Sequence, residues 1–164
     1  MPEELDQQAK KTVLRLFTYG LYVVTTPEAE GQTPGAFTAN WLSQASFEPP
    51  LVMVSVEADS YSLPLIRAGG RFAVSVLESG QRELAGHFGK KARHAGNKLA
   101  DVPHHPSASG LPVLDAALGY VVCEVTGEIP AGDSVVVIGA VIEAGEQREG
   151  EPLTMREAGF RHAG

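Results

Sequence analysis

The stretch from Gly35 to Ser60 constrains the fold of this chain more than any other. It reads as two strands, Ala36–Phe47 and Leu51–Glu57, separated by Pro49-Pro50. In the first strand Thr38, Asn40, Gln44 and Ser46 alternate with Phe37, Ala39, Trp41, Ala45 and Phe47. Side chains on a strand point to opposite faces with period two. One face is therefore an apolar packing surface, and the other is a row of amides and hydroxyls. Solvent accounts for such a row, and so does a polar, planar ligand lying along it.

The rest of the chain is built for turns between strands. It has 164 residues, with 18 glycines and 11 prolines, which suits one β-rich domain spanning residues 1–164 rather than a helical bundle. The net charge of −7 argues against nucleic-acid or anionic-membrane partners, because both reward positive fields. The single cysteine, Cys123, lies in the apolar run Tyr120–Val125 and reads as a small core residue. Without an intrachain disulfide, and with no basic-then-apolar leader or long apolar run, the expected home is the cytoplasm.

Leu5, Ala9, Val13, Leu16 and Phe17 recur at helical spacing, predicting an amphipathic helix over Glu3–Phe17. Leu21–Thr26 and Arg71–Leu77 read as strands. Asp59-Ser60-Tyr61-Ser62 opens a short helix through Ala68, and Gln81–Phe88 is a second short helix. Gly89–Gly110 is irregular and reads as a long surface loop. The last strand pair is Gly119–Thr126 and Ser134–Ala144, turned by Gly127–Asp133. Val135–Ile138 is apolar enough to be buried on both faces, and Gly139 permits a sharp bend. The expectation is a mainly β, six- to seven-stranded antiparallel Greek-key split barrel with two or three short flanking helices.

His104 and His105 are adjacent and His94 is ten residues away, so no zinc spacing exists and no metal is expected. No acid–base or nucleophile constellation stands out, so no catalytic side chain is expected. Arg82, Lys90, Lys91 and Arg93 form a basic island in an acidic chain.

In this order, Leu21-Tyr-Val-Val-Thr-Thr26, then Thr38-Ala-Asn-Trp-Leu-Ser-Gln-Ala-Ser-Phe-Glu-Pro-Pro-Leu-Val52, Gly70-Arg-Phe-Ala-Val-Ser-Val-Leu77, Gly110-Leu-Pro-Val-Leu-Asp-Ala-Ala-Leu118 and Ala131-Gly-Asp-Ser-Val-Val-Val-Ile-Gly-Ala-Val141 resemble the flavin reductase-like family. The resemblance implies an FMN-binding split barrel, FAD being an alternative flavin, that forms a homodimer. It implies flavin contacts from Phe37, Thr38, Ala39, Asn40, Trp41, Ser43 and Ser46, and from Ser55 and Glu57 on the next strand. Asp59, Ser60 and Ser62 are the implied phosphate site, at a helix start where orphan N–H groups meet an anion. Gly86-His-Phe-Gly-Lys90 resembles the family's Phe-small-Gly segment, which implies that His87, Phe88 and Lys90 border the flavin.

The implied activity is NAD(P)H-dependent flavin reduction, with reduced flavin passed to an oxygenase or redox protein. Many members carry Gly-Asp-His, associated with the nicotinamide cofactor, where this chain has Gly132-Asp133-Ser134. Many also end in a Tyr-His-Arg-Gly-type segment, where it has Met155-Arg-Glu-Ala-Gly-Phe160. A flavoredoxin-like electron carrier that holds FMN tightly fits these departures. A non-redox small-molecule-binding barrel is the third reading.

Overall fold

In the computed structural model, which describes residues 4–91 and 97–161, the run from Ala36 to Ser46 is two strands rather than one. β2 (Ala36–Ala39) pairs with β1 (Tyr22–Thr25), whereas β3 (Leu42–Ser46) pairs with β4 (Leu51–Glu57). The main sheet adds β5 (Arg71–Val76), β8 (Gly119–Ala131) and β9 (Ser134–Glu146), in the order β2-β1-β5-β8-β9-β4-β3 and antiparallel throughout. β2 and β3 are thus consecutive in the chain and lie on opposite edges of one sheet. The covalent link at Asn40-Trp41 draws those edges together, and Ser55 N–H donates to the Trp41 carbonyl at 2.9 Å. A sheet closed by its own backbone rather than by a continuous ladder is a split barrel, as the sequence leads one to expect.

The barrel interior is an apolar cluster drawn from alternate positions. It contains Val54 and Val56 from β4, Phe72 and Val74 from β5, Cys123 from β8 and Val137 from β9. Helix α2 (Ser62–Gly69) adds Leu63 and Ile66 to it. Ser60 Oγ accepts the Leu63 N–H at 3.2 Å at the start of α2, and Gly70, at φ 68°, ends the helix in the left-handed conformation that glycine tolerates. Cys123 is fully buried, and burial pushes its thiol up to about 12.

β1 and β5 are buried on both faces. Val24 points into the barrel, while Val23 joins a second cluster with Leu77, Ala85, Phe88, Leu99 and Leu153. That outer cluster seats α3 (Arg82–Phe88) and α4 (Met155–Ala158) against the barrel wall. Among the described residues four helices flank the barrel, one more than the upper expectation, the last being a single turn.

Four other expectations are corrected. Helix α1 is Gln7–Leu14 rather than Glu3–Phe17. Asp6 caps its start by accepting the Ala9 N–H at 2.9 Å, and i→i+3 bonds at Leu16 and Phe17 tighten its end. None of its residues is buried. Gly89–Gly110 contains a strand, β6 (His104–Pro106), which pairs with β7 (Pro112–Leu114). The β8–β9 turn is Gly132-Asp133, not Gly127–Asp133, because bulges at Val122/Cys123 and Val125/Gly127 let β8 pair through to Ala131. Val135 and Val137 are buried but Val136 and Ile138 are only half-buried, so β9 is covered on one face.

Candidate functional site

On β2 the alternation of the sequence becomes a division of labour. Phe37 and Ala39 pack with the barrel interior. Thr38 and Asn40 point the other way, into a cavity of about 340 Å³ between β2, α3 and the C-terminal segment. Pockets that hold small ligands run from ~300 Å³ upward.

The cavity wall opposite β2 comes from α3 and the residues that follow it: Ala85, Gly86, Gly89 and Lys90. Thr38 Oγ1 donates to the Ala85 carbonyl at 2.5 Å, fixing the helix against the strand. A Cβ placed on Gly86 would meet nothing nearer than Phe160 Cζ, at 3.9 Å, so this wall is bare backbone facing open space. Leu21, Met155, Phe160 and Arg161 complete the lining. Asn40 Nδ2 approaches Met155 Sδ at 3.4 Å, and the Arg82 guanidinium lies 5.7 Å from the Phe160 ring centroid.

The C-terminal segment is held there by backbone and side-chain bonds. Leu153 N–H donates to Leu77, and Met155 N–H to Tyr19. Thr154 Oγ1 caps α4, and the Glu157 carboxylate accepts Ser79 Oγ at 2.6 Å and Gly80 N–H at 2.8 Å. Those two donors hold the Glu157 carboxyl below the usual carboxylate range.

Among the sequence-derived candidates, Thr38, Asn40 and Lys90 converge on this cavity. Phe88 does not: it is fully buried in the outer cluster, because helical geometry turns it toward Leu77 and Leu153. His87 is half-buried beside it, its ring edge-on to Phe88 and its Nε2 within 2.7 Å of the Lys98 carbonyl. Trp41, Ser43, Ser55 and Glu57 lie outside the cavity lining. Trp41 is 39% exposed, Ser55 half-buried and Glu57 exposed. Ser43 Oγ donates to the Gln44 carbonyl, and the Ser46 carbonyl accepts Gln44 Nε2. Phe47 is 89% exposed, so the apolar face read along the first strand is covered in β2 and open in β3.

Asp59–Ser62 also lies outside the cavity lining. Asp59 is exposed and Ser60 caps α2, but Ser62 is buried, packed so closely on Gly35 that a Cβ there would sit 2.4 Å from its hydroxyl. Ser62 therefore faces the interior, not a ligand. Lys91 forms an ion pair with Glu57, so the segment that lines the cavity through Lys90 reaches the end of β4 through its neighbour. The Gly132-Asp133-Ser134 turn is at that same end, with Ala58 N–H donating to the Asp133 carbonyl. Arg93 and His94 lie outside the described residues. Among the described residues no His, Cys, Asp and Glu cluster is placed to hold a metal, and no helix is long and apolar enough to cross a membrane.

The cavity thus brings the Asn40 amide and the Lys90 and Arg161 side chains to one space beside the bare backbone of Gly86. The model of the flavin reductase-like domain family matches residues 14–164. The chain belongs to the flavin reductase-like family.

Its relatives include the reductase subunit HsaB of a flavin-dependent monooxygenase from Mycobacterium tuberculosis, 34% identical over 86% of this chain and 73% of that protein. A diflavin flavoprotein of Synechocystis is 34% identical over 93% of this chain, which spans only 26% of the diflavin protein's length. Among solved structures, the NADH:FAD oxidoreductase SgcE6 of Streptomyces globisporus superposes with a TM-score of 0.83 at 30% identity. That match covers 99% of this chain and 98% of the other.

Sequence reasoning missed Gly86, Gly89, Met155, Phe160 and Arg161 as cavity residues, along with Leu21 and Ala85. Gly86 and Gly89 stood inside the quoted glycine segment, Met155 and Phe160 at the two ends of the tail noted for departing from the family pattern, and Arg161 just beyond it. For Gly86 the signal was bareness: a glycine inside a short helix, where a helix has no need of one.

Proposed function

We propose that this chain binds FMN in the cavity beside β2 and acts as an NAD(P)H-dependent flavin reductase that supplies reduced flavin to a partner oxygenase. The observation that carries this reading is the convergence of Thr38, Asn40 and Lys90 with a glycine wall in a chain of this family. What a bound flavin supplies is redox chemistry at its ring. The chain's own residues bind and orient. Thr38 and Asn40 meet the ring's polar edge, Gly86 and Gly89 let its flat face approach, and Lys90 faces the anionic tail.

Micromolar binding needs about 8 kcal/mol. A helix start contributes only ~0.3–2 kcal/mol, so ring burial in the cavity carries most of the affinity. We further propose a homodimer, in which the second copy covers the exposed apolar residues of α1 and of the β3–β4 face, Phe47 and Met53 among them.

Titration of apo-protein with FMN and with FAD, followed by stopped-flow mixing with NADH and NADPH, tests the activity. The expected result is tight binding and rapid bleaching without a protein partner. A second reading, the flavoredoxin-like carrier, is favoured by Ser134, which stands where many members have histidine and is buried. Flavin that binds tightly yet does not bleach would replace the first reading with this one. A chain that ignores both flavins would sink both.

Asn40→Ala is expected to weaken FMN binding roughly three- to tenfold, the worth of one hydrogen bond. Thermal stability should not change, because the side-chain bond that Asn40 makes among the described residues is to a thioether, a weak acceptor. Unchanged affinity would place Asn40 outside the ligand's contacts.

A further inference from the structure

Lys98 is the one lysine among the described residues that is buried, at 7% exposure. Its ammonium donates to the Phe88 carbonyl at 2.9 Å and to the Lys90 carbonyl at 2.7 Å. Its own carbonyl lies 2.7 Å from His87 Nε2. Residue 98 is thus stapled twice to residues 87–90, once by its side chain and once by its backbone. These bonds straddle Gly89 and Lys90, which line the cavity, and they sit at the C-terminus of α3, where orphan carbonyls and the helix dipole favour a cation.

We infer that Lys98 is a positioning residue for the cavity's ligand: its charged amine clamps the Phe88 and Lys90 carbonyls and holds Gly89 and Lys90 in binding shape. The inference rests on the flavin reading for the identity of that ligand. Bonds from an ionised donor are about twice as strong as neutral ones. A neutral amine keeps two N–H groups for the two carbonyls, but both bonds become the weaker neutral kind. Loss of the proton therefore slackens the staple without dismantling it.

The proton is within reach of ordinary buffers. Burial, with the Lys91 charge adding to it, brings the Lys98 ammonium down to about 8. Among the described residues the charged and titratable neighbours are Lys91, itself paired with Glu57 of β4, His87 of α3 at the Lys98 carbonyl, and Lys90, whose carbonyl is clamped. The sign works out in two opposite directions. The unfolded chain keeps this proton up to about 10.5, so between about 8 and 10.5 the unfolded state binds more protons and this group's contribution to global stability rises with pH. Over the same interval the staple weakens, so ligand affinity falls. A purely structural cap would not separate the two.

The test compares wild type, Lys98→Met and Lys98→Arg by FMN titration from pH 6.5 to 9.5, and by amide hydrogen exchange at Gly89, whose N–H is bonded to the Ala85 carbonyl. The wild type should lose affinity through pH 8. Lys98→Met should bind FMN weaker by on the order of tenfold at pH 7, with no such pH step and with faster exchange at Gly89. Lys98→Arg, which stays charged, should recover affinity and lack the step. Melting curves show which variants fold, and if Lys98→Arg does not fit, the Lys98→Met comparison decides. Unchanged exchange at Gly89 in Lys98→Met overturns the staple. So does faster exchange with unaltered FMN affinity and pH slope. A wild type that binds no flavin sinks the flavin reading instead, and the exchange result then judges the staple by itself.

Discussion

Gly86→Leu is expected to abolish useful flavin binding while leaving the chain folded and slightly more stable. Gly86 lies in the interior of α3 and its missing side chain faces the cavity. Replacing a helical glycine by leucine gains roughly 0.5–1 kcal/mol of helix propensity. For a chain of this size that raises the melting temperature by about 1–4 °C. The branched side chain then occupies space that the ligand needs. Overfilling a formed site costs about 1–3 kcal/mol or more, so affinity should fall by about 100-fold. The two effects have opposite signs, which separates a blocked site from a broken fold. FMN titration and a melting curve on the same sample check it. A variant that melts higher and still binds FMN as the wild type does would move the flavin out of this cavity.

The same glycine shows how far a sequence of this kind can be read. Strand positions were legible where their period is local: Thr38 and Phe37 sort to opposite faces by backbone geometry alone, whereas the unbroken apolar run Val135–Ile138 read as buried on both faces and proved covered on one. The resemblance across ordered segments then supplied the split barrel and the flavin. What stayed hidden depended on convergence. The break at Asn40-Trp41 follows from two strands pairing on opposite edges of the sheet, which no window of the chain contains. Phe88 was assigned to the ligand and belongs to the core, because the side of a seven-residue helix that faces inward is set by what packs beneath it. Met155 and Phe160 reach the cavity only because Leu153 and Thr154 bridge to Leu77 and Gly20. Lys98 lay within Gly89–Gly110, which read as a surface loop. Its burial is visible only once the carbonyls of Phe88 and Lys90 are turned toward one point.

Phe72→Ala is expected to cost the fold about 3–5 kcal/mol, the range for deleting a fully buried aromatic ring. With about 2–4 °C per kcal/mol at this chain length, the melting temperature should fall by roughly 6–20 °C. The reason for a value in that range is the way the ring is seated. Phe72 is in register with Cys123 across the β5–β8 ladder, and both crowd Gly139 of β9. A Cβ at Gly139 would lie 2.7 Å from Cys123 Cβ and 2.8 Å from Phe72 Cε1. Three adjacent strands therefore interlock at one point, with β9 admitted because position 139 has no side chain. Gly139→Ala alone should cost about 1–3 kcal/mol by overpacking. Together, the two substitutions should cost less than their sum by about 0.5–3 kcal/mol, since the added methyl enters the space the ring vacates. Urea melts of both single variants and the double variant measure this coupling, and strictly additive losses would show that ring and glycine do not share space. Flavin affinity, extrapolated to the folded fraction, should stay at the wild-type value, because the ring lies inside the barrel on the far side of β2 from Thr38 and Asn40.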